Sequence, residues 1–277
     1  MKISEQALES FGRYLVSAGK SGATVEKYMR EARRFVRWLE EREVDGETAR
    51  MYREELARER SAAGVNGAAA ALNGLFNFLG VPECRMRAVR VQRKIFRDEA
   101  RELTEKEYRR LLAAARERKN ERLLLVMEAI CATGIRVSEL RFFTVEAVRA
   151  GRAEVVNKGK CRVVFLPGKL RKELLRYAGA RGVSKGPVFV TRSGKPLDRS
   201  NIWSDMKGLC REAGVEESKV FPHNLRHLFA RTFYGLEKDI VRLADLLGHS
   251  SIDTTRIYTM ETGEAHRRQL EKMRLVI

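Results

Sequence analysis

The chain contains four histidines, His223, His227, His249 and His266. His223 and Arg226 stand three apart in PHNLRHLFARTF. On a helix that spacing puts both on one face and leaves Leu225, Leu228, Phe229 and Phe233 to anchor it in a core. A guanidinium beside an imidazole repels a metal ion but suits a phosphate. Arginine offers a planar bidentate fork, and histidine exchanges a proton near neutral pH. HxxR by itself is more often a solvated helix face. Farther on, DLLGHSSIDTTRIYT places His249 directly after Gly248 and carries Tyr258 downstream. A tyrosine with its ordinary pKa of about 10 is a weak nucleophile, and attack requires a proton acceptor or a cationic surround. Upstream, ATGIRVSELRFF presents Arg136 followed by Glu139, and AEVVNKGKCRVVFLP presents Lys158 and Lys160 on either side of Gly159. A lysine at a turn tip either donates a proton into a neighbouring site or is solvated.

These residues need elements to hold them. The first 80 residues read as a bundle of about four helices. Val25, Tyr28, Met29, Ala32, Phe35, Val36 and Leu39 recur at helical spacing, and Gly46 to Arg60 continues as a charged helix. Val65 to Leu79 forms an alanine-rich helix with Gly80 and Pro82 as its stop. The stretch CRMRAVRVQRKIFRDEAR, residues 84–101, holds seven Lys/Arg and two acids without a clear period. It reads as an interdomain linker that lies along a DNA backbone or is simply solvated. Arg90, Arg93, Lys94 and Arg97 are its candidate DNA contacts. Thr104 with Glu107 signals a helix start, and helices are expected at 104–118 and 120–132. The alternating segment 153–167, interrupted by Asn-Lys-Gly-Lys, predicts a β-hairpin. A short strand, PVFV, is expected before the RSGK turn, and helices resume from Ser200. Gly248 should end a helix, with Ser251 capping the next one, which would carry Tyr258.

Composition narrows the class. The chain has 277 residues and a net charge of +18, which suggests a polyanionic partner. Residues 1–88 hold 15 Lys/Arg and 13 Asp/Glu, whereas the remaining 189 hold 40 and 24, so the excess lies in the C-terminal two-thirds. Cys84, Cys131, Cys161 and Cys210 are widely spaced, without a CxxC pair or a zinc-like histidine pattern, and read as reduced thiols. No apolar stretch reaches transmembrane length and the N-terminus lacks a signal-peptide core, so a cytoplasmic protein with no membrane partner is expected.

The ordered set Arg136, Lys158, His223-x-x-Arg226, Gly248-His249 and Tyr258, carried by TGIRVSEL, NKGK, HNLRH and LLGHSSIDTTRIYT, closely resembles the tyrosine-type site-specific recombinase and integrase family, especially its Xer-like, phage and transposon members. With the helical N-terminal part, the similarity spans nearly the whole chain. The resemblance implies a mainly α fold with a small antiparallel β-sheet. It places a helical, SAM-like core-DNA-binding domain at residues 1–83, the basic linker at 84–101 and a catalytic domain at 102–277, the two domains closing as a C-shaped clamp on DNA. It makes Tyr258 the nucleophile that forms a 3′-phosphotyrosine. Arg136 and Arg226 become phosphate ligands, Lys158 the general acid, with Lys160 as the other choice, His223 an acid/base, and His249 a phosphate ligand. Glu139 becomes a supporting residue, and His227 a structural one. No cofactor and no metal are implied. The partner is double-stranded DNA with a short inverted-repeat core site, recombined by a homotetramer on two sites through a Holliday junction. Docking of the C-terminal segment, with Leu270, Met273 and Leu275, on a neighbouring protomer is also implied. Asn224 departs from the family, where an Asp is common. A type IB topoisomerase, a DNA-binding protein without cleavage and a generic RNA-binding protein are the rival readings.

Overall fold

The computed structural model describes residues 2–40, 42–90, 99–157, 159–191, 193–260 and 263–273. The chain divides into two compact units, Met1–Arg93 and Lys94–Ile277.

The first unit contains α1 (Glu5–Ser17), α2 (Gly22–Leu39), α3 (Gly46–Glu59) and α4 (Ala62–Leu79). Each begins with a side-chain cap, from Ser4, Ser21, Asp45 and Ser61, which satisfies amide donors that the first helical turn leaves unpaired. Their apolar stripes meet in one core. Phe35 lies 5.0 Å from Tyr52 and 5.5 Å from Phe76 between ring centroids, and Leu8, Phe11, Leu72 and Leu75 are fully buried around them. Part of the stretch expected to be a linker is held on this unit. Cys84 and Met86 are buried in its core. Asn73 exchanges two hydrogen bonds with the Met86 backbone at 2.8 and 3.0 Å, and Asn66 does the same with Val89 at 2.7 and 2.9 Å. An asparagine amide carries both a donor and an acceptor, so one side chain on α4 mimics a strand partner and fixes an extended backbone. Arg90 is exposed at the end of this stretch. Arg93, Lys94 and Arg97 lie outside the described residues.

The second unit starts with α5 (Glu105–Glu117) and α6 (Glu121–Thr133). The Thr104–Glu107 capping box is present as expected. After a 3-10 turn over Val137–Phe142 come α7 (Val145–Ala150), β1 (Arg152–Asn157) and β2 (Lys160–Phe165). The strands pair antiparallel with Asn157 opposite Lys160. Then follow α8 (Gly168–Ala180), α9 (Arg199–Gly208), α10 (Cys210–Ala213), α11 (Pro222–Glu237), α12 (Ile240–Leu247), α13 (Ile252–Thr255) and α14 (Gly263–Met273). The core runs from Leu103 through α5, α6 and the inward face of the hairpin to Leu225 on α11.

Two expectations need correction. PVFV forms no strand: the segment makes isolated bridges, Thr144 to Pro187 and Val190 to Pro196. Pro187 lacks the amide a ladder needs, and Val188 and Phe189 bury as core residues instead. The helix capped by Ser251 is a single turn, and Tyr258 lies beyond it on a 3-10 turn over Arg256–Tyr258. Among the described residues no helix is long and apolar enough to cross a membrane.

Candidate active site

The site is built where α6, α11, α12 and the hairpin converge. Helix α6 ends at Gly134, whose φ of +63° favours glycine. A Cβ there would lie 2.4 Å from Phe229 Cδ1, so a side chain is excluded both by the backbone conformation and by α11. The reversal at Gly134 delivers Arg136 to the site. The Arg136 backbone N donates to Glu139 Oε2 at 3.0 Å, and its guanidinium donates to Oε1 at 3.0 Å.

Helix α11 begins with Pro222 at its first position and buries Leu225, Leu228 and Ala230. The opposite face presents His223, Arg226 and His227. Arg226 is only 1 % exposed. Its guanidinium donates to the carbonyls of Gly134 and of Leu247, the latter at 2.7 Å, and lies 3.1 Å from His249 Nε2. The two carbonyls belong to the last turns of α6 and α12, where partial negative charge gathers, which is how a buried cation is tolerated. Burial, reinforced by Arg136, still pushes the Arg226 guanidinium down to about 10. Neighbouring Asn224 is fully buried and donates to the carbonyls of Arg101 and Lys219 at 3.0 and 2.7 Å. An ionised aspartate would meet those carbonyls with acceptors only, which accounts for the amide at this position.

Helix α12 ends at Gly248, φ +64°, and His249 follows. Its Nδ1 lies 2.9 Å from Thr255 Oγ1, so the fully buried Thr255 orients the ring and aims Nε2 at Arg226. Burial and the cations Arg226, Arg136 and Arg162 push His249 down to about 4, leaving the ring neutral. Tyr258 is 4 % exposed. Its ring stacks on His249 at 6.1 Å and meets His227 edge-on at 4.9 Å. Burial raises the phenol above its usual value, and Arg226 and Arg136 oppose that rise. His227 in turn meets His223 edge-on at 4.6 Å and is pushed to about 4, first by burial.

Of the predicted site residues, the fold thus gathers Arg136, Glu139, Arg226, His249 and Tyr258, with His223 exposed at the rim beside His227. Lys158 lies outside the described residues. Lys160 opens β2, and its side chain and that of His266 are likewise outside them. Two participants escaped the sequence reading. Thr255 carries no signal beyond a polar residue in a helical stretch. Arg162 contacts Glu139 through two hydrogen bonds; the strand alternation that buries Val164 gave a signal, since Arg162 shares its face. Among the described residues no three His, Cys, Asp or Glu side chains cluster as metal ligands. Instead the guanidiniums of Arg136 and Arg162 share the Glu139 carboxylate, and with Arg226 they leave net positive charge beside a buried phenol, an arrangement suited to a phosphate diester.

Comparison with known proteins agrees with this chemistry. Residues 101–264 match the phage integrase family. Tyrosine recombinase XerA of Thermococcus kodakarensis is 32 % identical, with 100 % of this chain and 98 % of the relative covered. Two solved structures share the fold. XerH recombinase bound to difH substrate in a pre-cleavage complex has a TM-score of 0.72 at 19 % identity, covering 96 % of this chain and 84 % of its own. A lambda integrase tetramer bound to a Holliday junction has a TM-score of 0.72 at 20 % identity, covering 93 % of this chain and 78 % of its own. The chain therefore belongs to the phage integrase family and is a tyrosine recombinase.

Proposed function

We propose that this protein performs site-specific DNA recombination with Tyr258 as its nucleophile. The phenol oxygen attacks the phosphorus of one phosphodiester, a P–O bond forms to Tyr258, and the bond to the 5′-oxygen breaks. That oxygen takes a proton from Lys158 or Lys160, and the phenol proton passes to a neutral histidine of the site, His249 or His223. A 5′-hydroxyl from a second strand reverses the step, so the bond energy is retained and no cofactor is consumed. Arg136, Arg226 and His249 hold the non-bridging oxygens and the charge of the pentavalent state. Removing one such donor typically costs about 2.7–4 kcal/mol, a factor of roughly 10²–10³ in rate.

One observation carries this reading: a buried tyrosine stacked on a neutral His249 whose Nε2 faces a buried Arg226, with Arg136 close by. A DNA-binding protein without cleavage has no use for that arrangement. The first unit serves as the core-DNA-binding domain, and the partner is duplex DNA with a short inverted-repeat core site, recombined by four protomers on two sites in the nucleoid. The Xer relatives and the integrase complexes support these features by kinship. Replacing Tyr258 by Phe tests the reading: strand cleavage disappears while DNA binding persists. Loss of binding along with cleavage would make Tyr258 structural and would count against it.

A further inference from the structure

Arg162 belongs to none of the motifs that mark the site, and it touches two of its parts. Its side chain on β2 is 13 % exposed. The two terminal nitrogens donate to Glu139 Oε1 and Oε2 at 3.1 and 2.7 Å, the same carboxylate that holds the backbone and guanidinium of Arg136. Its stem packs beneath Gly248: a Cβ on that glycine would lie 2.7 Å from Arg162 Cδ and 3.1 Å from its Nη1. Among the described residues its buried Nε has no hydrogen-bond partner. A side chain that leaves one polar atom unsatisfied is held by its other contacts, here the carboxylate on one side and the Gly248–His249 turn on the other.

We propose that Arg162 is a positioning residue for strand cleavage, which sets Arg136 through Glu139 and braces the turn that presents His249. The proposal rests on the reading that Arg136 and His249 hold the scissile phosphate. The physical reason is charge sharing. With one carboxylate between two guanidiniums, the trio keeps a net positive charge and Arg136 retains its attraction for an anion. Without Arg162, the nearly fully buried Glu139 carboxylate draws more fully on Arg136 and weakens its pull on an anion. The bidentate fork also fixes the carboxylate plane, which a lysine ammonium, a point charge, does not.

The test is single-turnover cleavage of a nicked duplex carrying the site recovered by covalent capture from genomic DNA, with Kd measured on the same duplex and melting curves alongside. The variants are R162Q, R162K, E139Q and R162Q/E139Q. R162Q is expected to slow cleavage about 10- to 100-fold, the range known for outer-shell partners that orient metal ligands and carried over here to a phosphate ligand, while Kd stays within about twofold. R162K is expected to restore part of the loss. The double variant should be about as slow as the slower single, because residues acting through one another are not additive. A wild-type cleavage rate in R162Q or in R162K, or a double variant whose defect is the product of the singles, overturns the proposal. If R162Q fails to melt cooperatively, R162K carries the test: slowed cleavage with unchanged Kd supports the proposal. Absence of Tyr258-dependent cleavage in the unmutated protein is a different failure, which removes the recombinase reading and this proposal with it.

Discussion

His249 and Thr255 show how a single hydroxyl sets a reacting group. The imidazole is neutral because burial and three guanidiniums hold it at about 4, and its orientation depends on the 2.9 Å contact between Nδ1 and Thr255 Oγ1. Thr255→Val keeps the shape and removes the partner. A hydrogen bond of this kind is worth about 1 kcal/mol, so cleavage should fall roughly fivefold to tenfold, with Tm lower by about 2–4 °C. An unchanged cleavage rate would show that packing alone orients the ring. At this scale most of the site was legible. His223 and Arg226 share a helix face by spacing, and Gly248-His249 and Thr133-Gly134-Ile135-Arg136 each announce a helix end followed by a polar group. Arg162 gave only the strand-alternation signal and Thr255 none, because the value of each comes from partners that other elements supply. Arg162 finds Glu139 across the fold, and Thr255 is read only once α13 folds back on His249.

At the scale of elements, the same local rules account for the helices and fail where pairing decides. The caps at Ser4, Ser21, Ser61 and Thr104 and the stops at Gly80 and Gly248 mark real boundaries. PVFV has strand composition but no ladder partner, and Tyr258 was expected on a helix that lasts one turn. Packing between α6 and α8 brings a further consequence. Glu128 on α6 faces Glu173 on α8, and burial, with the hydrogen bond and charge of Glu173, raises its carboxyl to about 7. A carboxyl raised in the folded state binds a proton that the unfolded chain has released. Its contribution is therefore present below the ordinary carboxylate value and fades as pH rises towards 7. Glu128→Gln removes this penalty, so Tm should rise relative to wild type at pH 8 and stay close to it at pH 4. Equal Tm differences at both pH values would contradict the assignment. The half-buried His249 and His227 act in the opposite sense. Their folded values of about 4 mean that stability is lost as pH falls from the ordinary histidine value towards 4.

At the scale of the whole molecule, the charge is uneven. The net +18 lies mostly beyond residue 88, in the part that contains the site, so the cationic field and the reactive phenol share one unit. A recombinase must hold its duplex by many phosphate contacts before chemistry, and each contact releases counterions. The logarithm of the DNA-binding constant should then fall linearly with the logarithm of salt concentration, by about 0.9 per phosphate neutralised. A flat response would exclude a phosphate-dominated interface. The duplex sequence was not legible, since base readout depends on a few side chains in a docked geometry that residue spacing does not specify.

The central claim, a covalent bond from Tyr258 to DNA, is tested most directly by mapping the adduct. The protein is incubated with genomic DNA fragments, denatured, digested with nuclease and protease, and the modified peptide is identified by mass spectrometry, with Tyr258→Phe in parallel. The account predicts a nucleotide joined through its 3′-phosphate to Tyr258 and no adduct in the variant. An adduct on another residue, or one that survives in Tyr258→Phe, would contradict it.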